Sequence, residues 1–294
     1  MKIVIGLPAF NEEKNIASII LKLKKITDMI IVCNDGSTDM TGDIAEKMGA
    51  VLINHPKNMG YGAAIRSLFK KSNELSADIL VTFDADGQHQ VEDILRVIEY
   101  IKNDEADLVI GSRFIEKEQS EIPYYRRIGI KALTRLANTS LESKITDSQS
   151  GFRAYNKQVL SEIIPSDNGM GVSNEILIKA SKRGFRIKEV PIIISYDGDT
   201  STHNPVSHGA SVVLSTMKFV SIEHPLKFYG IPGVVFLALG LFFSIWTIQV
   251  FSESGKIITN IALIGVGSSI IGIILLITAI LLFSLVSIVR EVKN

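Results

Sequence analysis

A single cysteine stands in 294 residues. Cys33 alone excludes an intramolecular disulfide and any cysteine-based zinc site. It lies in the apolar run 29–33, where a small buried residue is its simplest role. Histidine is scarce too: His55, His89, His203, His208 and His224 share no metalloprotease spacing, and no zinc is expected. Net charge is also missing, because 31 basic side chains meet 31 acidic ones. No basic run resembles a nucleic-acid arm, so no nucleic-acid partner is expected. The first eight residues, Met1 to Pro8, hold too short an apolar run for a signal peptide and no small-residue cleavage site. They read as the first strand of the fold.

Charge is absent again from two long stretches near the C-terminus, 231–251 and 257–289. Each exceeds the ~20 apolar residues that a bilayer span needs, and the stretch 252–256 separates them. The sequence therefore predicts a two-helix transmembrane hairpin over residues 227–294, with spans at about 231–251 and 261–289. Gly265, Gly267 and Gly272 permit close helix approach and leave a homo-oligomer open. The segment 207–226 sets Val213, Met217 and Val220 on one helical face, which suits a juxtamembrane amphipathic helix in the interface. Lys218 and Lys227 precede the first span, and Arg290 and Lys293 follow the second, whereas the loop offers Lys256 offset by Glu253. The positive-inside rule then expects a multi-pass protein of the cell membrane with both termini and residues 1–206 in the cytoplasm. Spans without charge offer no transport pathway.

Residues 1–206 alternate short apolar runs with amphipathic ones. Strands are predicted at 2–7, 29–33, 51–54, 79–83 and 108–111, and helices at 12–25, 39–48, 61–71 and 91–102. Ile- and Val-rich strands without polar alternation, separated by helices, imply an α/β fold: a mainly parallel sheet with helices on both faces. Beyond Gly111 the pattern weakens into a helix over 123–139, a polar segment 147–153, two further helical stretches and a strand over 185–194.

Ligands of such sheets bind at the carboxyl ends of strands. Three chemical segments fall there: Pro8-Ala9-Phe10-Asn11-Glu12, Asn34-Asp35-Gly36-Ser37-Thr38-Asp39, and Asp84-Ala85-Asp86. In extended backbone, residues two apart point the same way, so Asp84 and Asp86 face one cleft. Paired carboxylates at a strand end suit Mg2+ or Mn2+ that also holds phosphate oxygens, which is nucleotide-sugar chemistry. Asp39 reads as an N-cap. Gly60 opens a helix and allows close backbone approach to a ligand. No Rossmann fingerprint results, because Ile65 stands three residues after Gly62.

Together with Asn58-Met59-Gly60-Tyr61-Gly62-Ala63-Ala64, Asp84-Ala85-Asp86-Gly87-Gln88-His89, Gly111-Ser112-Arg113 and Ser150-Gly151-Phe152-Arg153, these motifs resemble the inverting GT-A family 2 glycosyltransferases. The resemblance is to the group typified by dolichol-phosphate mannose synthase and other polyprenyl-phosphate glycosyltransferases, and it covers roughly residues 2–191. It implies a GT-A, Rossmann-like domain, a nucleotide sugar (UDP- or GDP-linked) as donor and a polyprenyl or dolichyl phosphate as acceptor at a lipid bilayer. Asp84, Asp86 and Gln88 would serve the metal and the diphosphate. Pro8, Asn11 and Glu12 would shape the nucleoside pocket, and Asp35 would accept hydrogen bonds from base or ribose, with Asn34 replacing the acid common before it. Arg113 suits a phosphate, because its planar fork binds oxyanions bidentately. Arg126 or Arg127 would receive the acceptor phosphate. Asp147 is either a general base or an organiser of its loop. His89 reads as a turn residue.

Mannose synthases typically carry an arginine and a lysine after the Val-Pro-Ile strand. Here Val190-Pro191-Ile192 precedes a stretch, 196–205, whose only basic candidate is His203. That departure favours a UDP-sugar over GDP-mannose. A processive polysaccharide synthase would show a Gln-x-x-Arg-Trp motif, but the only tryptophan is Trp246, inside the first span. A non-catalytic membrane subunit is the reading from another class; Asp84, Asp86, Gln88 and Arg113 together argue against it.

Overall fold

The computed structural model describes residues 1–115, 124–193, 217, 221–222 and 224–293. The stretch 196–205 with His203, together with His208 and most of the expected interfacial helix 207–226, lies outside the described residues. The chain divides into two compact units, Met1–Thr216 and Met217–Asn294.

The first unit is an α/β sandwich. Its strands are β1 (Ile3–Ala9), β2 (Ile30–Asn34), β3 (Val51–Asn54), β4 (Ile79–Thr82), β5 (Leu108–Ser112), β6 (Arg153–Asn156) and β7 (Ile187–Pro191). They form one sheet in the order β3-β2-β1-β4-β6-β5-β7. All pairs are parallel except those of β6, which runs antiparallel to β4 and β5. The sequence did not announce β6. Its four residues, Arg-Ala-Tyr-Asn, are too short and polar to read as a strand, and its neighbours supply the pairing.

The helices are α1 (Ile16–Leu23), α2 (Thr41–Lys47), α3 (Tyr61–Glu74), α4 (Asp93–Lys102), α5 (Tyr124–Ala137), α6 (Lys157–Glu162) and α7 (Val172–Lys182). Period-two alternation sends successive strand residues to opposite faces, and each face has its own core. Ile5, Leu7, Val32, Val81 and Phe83 meet α1 and α4 through Ile16, Ile20, Ile94 and Val97. Val4, Ile31, Cys33 and Leu80 meet α3 and α7 through Ile65, Leu68, Ile176 and Leu177. Helix α1 starts four residues later than the sequence predicts, because Glu12 to Asn15 form a turn in which the Glu12 carbonyl accepts from the Asn15 and Ile16 N–H groups.

In the second unit a π-helical turn, Leu226–Gly230, leads into α8 (Ile231–Ser254) and then α9 (Thr259–Lys293). Gly255, at φ 65°, ends α8 in the left-handed conformation and donates to the Phe251 carbonyl. Both helices are long and apolar enough to cross a membrane. Small residues make their seam: a Cβ on Gly272 would stand 2.7 Å from the Leu237 nitrogen, and one on Gly265 would stand 3.0 Å from Ser244 Oγ. Gly240 meets Ser269 as closely. Gly267 does not belong to this seam; nothing lies within 4 Å of its would-be Cβ. Outward-facing Ile248 and Leu263 are 67% and 64% exposed, a surface that water penalises and hydrocarbon does not.

Candidate active site

Strands β1 and β2 end in register, Ala9 beside Asn34, and the parallel β4 ends three residues earlier, with Thr82 beside Gly6, so their following turns share one edge. The turn after β4 carries the acid pair. Asp86 accepts the Gln88 N–H at 3.0 Å, so Gln88 reaches the pair through its backbone. Burial raises the Asp86 pKa, and the neighbouring Asp84 charge raises it further. Glu12, from the turn after β1, faces the same field. Its pKa is raised by burial, against a hydrogen bond from Asn15, with Asp86, Asp39 and Asp84 adding to the rise. Three carboxylates therefore converge with too little positive charge between them. Among the described residues no set of three or more His, Cys, Asp or Glu side chains is arranged to hold a metal.

Two aromatic residues and a glycine frame Asp84. His89 Nε2 stands 3.3 Å from Asp84 Oδ2. The phenol of the half-buried Tyr61 faces the same carboxylate, and loss of solvent around it, followed by the Asp84 charge, pushes its pKa well up. A Cβ on Gly151 would stand 2.5 Å from the Tyr61 hydroxyl and 2.8 Å from both Asp84 oxygens, so only glycine fits there. Sequence reasoning missed Tyr61 and Gly151 as site residues and took His89 for a turn residue. The signal available was their position inside the motifs, Tyr61 behind Gly60 and Gly151 ahead of Phe152.

At the end of β5 stands the opposite arrangement. Arg113 forks onto Asp147, Nε to Oδ2 at 2.6 Å and Nη2 to Oδ1 at 2.8 Å. Asp147 is fully buried and also accepts from the Arg113 and Gln149 N–H groups. Burial alone would raise its pKa, but the Arg113 charge and these hydrogen bonds hold it below the usual carboxylate range. A carboxylate so satisfied is a poor proton acceptor, which weighs toward the loop-organising alternative for Asp147 over the general base. The loop is anchored in turn by Glu189, which accepts from the Thr146 and Asp147 N–H groups. Arg153, 1% exposed, donates to the Ser148, Ser150 and Ser173 carbonyls and fixes the rest of it.

Several residues expected at the nucleotide spend their polar groups on the chain. Asp35, expected to meet base or ribose, accepts from the Met59 and Gly60 N–H groups at 2.9 and 2.8 Å and from His55 Nδ1 at 2.6 Å. Gly60, at φ 98°, does permit a close approach, but the approaching group is the Asn168 carbonyl, which also accepts from the Gly62 N–H. Gly60 thus lets protein backbone close over the start of α3. Asn34 accepts from the Ser37 N–H and donates to Asn54. Asn11, at φ 57°, accepts from the Thr38 N–H, and the Glu12 N–H donates to Thr41, so the turns after β1 and β2 are sewn together beside Pro8. Asp39 binds the Thr41 N–H and hydroxyl at the start of α2, as a cap would. Burial raises its pKa, but those bonds from Thr41 lower it more.

Arg126 and Arg127 lie on α5, whose inner side docks through Thr134 onto Ser148. The Arg127 Nε–H is buried without a hydrogen-bond partner among the described residues. Arg126 shares the helix, and its side chain lies outside the description.

The sequence profile described as "Glycosyl transferase family 2" matches residues 4–164. The UDP-N-acetylglucosamine–dolichyl-phosphate N-acetylglucosaminyltransferase of Methanococcus voltae is 36% identical over 230 residues, 71% of this chain and 89% of that one. The dolichyl-phosphate hexose transferase of Haloferax volcanii is 34% identical over 229 residues, 77% of this chain and 96% of the relative. Among solved structures, glucosyl-3-phosphoglycerate synthase from Mycobacterium tuberculosis, in complex with Mn2+, UDP and glucosyl-3-phosphoglycerate, superposes with a TM-score of 0.57 at 22% identity. That match covers 74% of this chain and 79% of the synthase, and it shows a shared fold.

Proposed function

The chain belongs to glycosyl transferase family 2, and from that premise we propose that it moves a sugar from a nucleoside-diphosphate sugar to a polyprenyl phosphate at a membrane surface. A UDP-linked hexose or N-acetylhexosamine is the favoured donor and a dolichyl phosphate the favoured acceptor. The observation that carries the reading is the acid pair at the end of the central strand β4, whose second member is held partly against its own ionisation.

Asp84 and Asp86 would fit a divalent cation only when donor phosphate oxygens and water complete its shell, as Mg2+ and Mn2+ sites on nucleotides commonly require. Asp84 and Asp86 would hold it, with the Gln88 turn in support; bound there, it offsets charge on the departing diphosphate. A lipid-phosphate oxygen attacks the anomeric carbon, the bond from that carbon to the diphosphate oxygen breaks, and configuration inverts. The attacking phosphate is already anionic near neutral pH, so no general base is required, in keeping with an Asp147 spent on Arg113. Pro8, Asn11, Glu12 and Asp35 would wall the nucleoside side of the cleft. Arg126 or Arg127 would receive the acceptor phosphate, and the Arg127 Nε–H has no partner among the described residues.

Residues 1–206 would form the catalytic domain, facing the cytoplasm, with 207–226 as an interfacial helix and 227–294 as a multi-pass anchor, alone or as a homo-oligomer. The experiment is transfer from labelled UDP-glucose, UDP-N-acetylglucosamine and GDP-mannose to a short polyprenyl phosphate, with Mg2+ or Mn2+ and an Asp86→Ala control. Label entering the organic phase from one donor, and lost in the control, supports the reading and identifies the sugar. Folded protein that transfers from none of them contradicts it.

A further inference from the structure

The transfer reaction leaves the placement of His89 unexplained. Only 6% of its side chain is exposed. The ring lies against Phe83, with centroids 5.6 Å apart, and against Phe152, at 5.3 Å, and those two rings meet each other edge to face at 5.2 Å. Rings from the end of β4, from the turn itself and from the lead into β6 thus lock the imidazole plane. Within that lock the two nitrogens differ. Nε2 stands 3.3 Å from Asp84 Oδ2, whereas Nδ1 is buried with no partner among the described residues.

That difference selects the tautomer. A proton on Nδ1 would leave a buried N–H without an acceptor and set a bare Nε2 lone pair against a carboxylate oxygen. A proton on Nε2 is met by Asp84. We propose that His89 is a positioning residue for the acid pair: its Nε2–H holds Asp84 Oδ2 and, with the Tyr61 phenol that faces the same carboxylate, sets Asp84 for the divalent cation and the diphosphate. The inference rests on the cation-dependent reading of this site. Gly151 completes the clamp, since its backbone approaches Asp84 more closely than any side chain would allow. Carboxylates that ligate metals are generally held by hydrogen bonds from neighbouring groups, and removal of such a partner weakens metal binding about 10- to 100-fold.

The test is Mn2+ binding to the full-length protein, read from the free-ion electron paramagnetic resonance signal with and without UDP, beside thermal unfolding in chelator. Wild type is compared with His89→Leu, which removes the donor; His89→Gln, whose amide reaches the Nε2 position; and His89→Asn, whose amide stops at the Nδ1 position. We expect His89→Leu and His89→Asn to weaken Mn2+ binding about 10- to 100-fold, and His89→Gln to stay within about threefold of wild type. The Mn2+ concentration for half-maximal transfer should follow the same order, with kcat at saturating metal changing less. His89→Asn carries the test if the leucine variant fails to fold. Folded variants that all bind Mn2+ as wild type does, or a glutamine variant as weak as the asparagine one, overturn the positioning role and leave the proposed function standing. Wild-type protein that binds no Mn2+ even with UDP overturns both.

Discussion

Asp86 and Asp147 stand in neighbouring turns at the same edge of one sheet, and they are electrostatic opposites. Asp147 is entirely buried, yet a forked arginine and two N–H groups hold its pKa down. Asp86 has Asp84 and Glu12 for company and accepts the Gln88 N–H, but burial and the Asp84 charge push its pKa up. The first is a finished interaction that the fold uses for itself. The second is charge assembled without its counter-charge, which folding alone does not reward. A ligand that supplies counter-charge would complete such an arrangement, which is why perturbed acid clusters mark candidate sites.

The contrast can be broken from either side. Asp86→Ala should lower kcat by about 10³-fold, because losing electrostatic stabilisation of the leaving group costs several kcal/mol of barrier. Its metal-free Tm should not fall, and a variant that loses both activity and stability would put Asp86 among the scaffold residues. Arg113→Leu should do the reverse to the fold, destabilising it by about 3–5 kcal/mol, since it strands a fully buried carboxylate. Chemical denaturation measures that, and a cost within 1 kcal/mol would deny Asp147 its finished state. Gly151→Ala should cost about 1–3 kcal/mol as Tyr61 and Asp84 are forced apart, with a steeper loss of Mn2+ affinity than of stability.

The smallest effects lie in the pH dependence, where the two aspartates carry opposite signs. Asp147 has a lowered folded pKa, so its stabilising contribution is present above the ordinary carboxylate pKa and lost as pH falls through the folded value. Asp86 has a raised folded pKa, so its penalty is present above that value and relieved on acidification. The stability deficit of Asp147→Asn should therefore shrink only in strong acid. The stability gain of Asp86→Asn should vanish first, in the mildly acidic range above the ordinary carboxylate pKa. Parallel profiles for the two variants would contradict the assigned directions.

Much of this was legible in the chain. Strands β1 to β5 and the apolar hairpin follow from unbroken Ile/Val/Leu runs, and Asp84 and Asp86 follow from their place at the end of one. Strand β6 was not legible, because Arg153 to Asn156 carry no periodic signal and become a strand only between β4 and β5. The polar turn residues were half legible. Sequence places Asp35, Asn11 and Gly60 at the right edge but cannot say whether their partner is a ligand or another turn, and here it is largely another turn. The packing of His89 was hidden for a related reason. Its neighbours Phe83 and Phe152 are 69 residues apart in sequence and meet only once β6 pairs with β4.

The central claim is that the acid pair is incomplete until a cation arrives, and thermal unfolding of the full-length protein tests it most directly. With chelator at neutral pH, Asp86→Asn should melt above wild type. On adding Mn2+ and UDP, wild type should gain several degrees and the variant should not, which reverses their order. An asparagine variant that melts below wild type in chelator, or that gains as much from Mn2+ and UDP, would contradict the account.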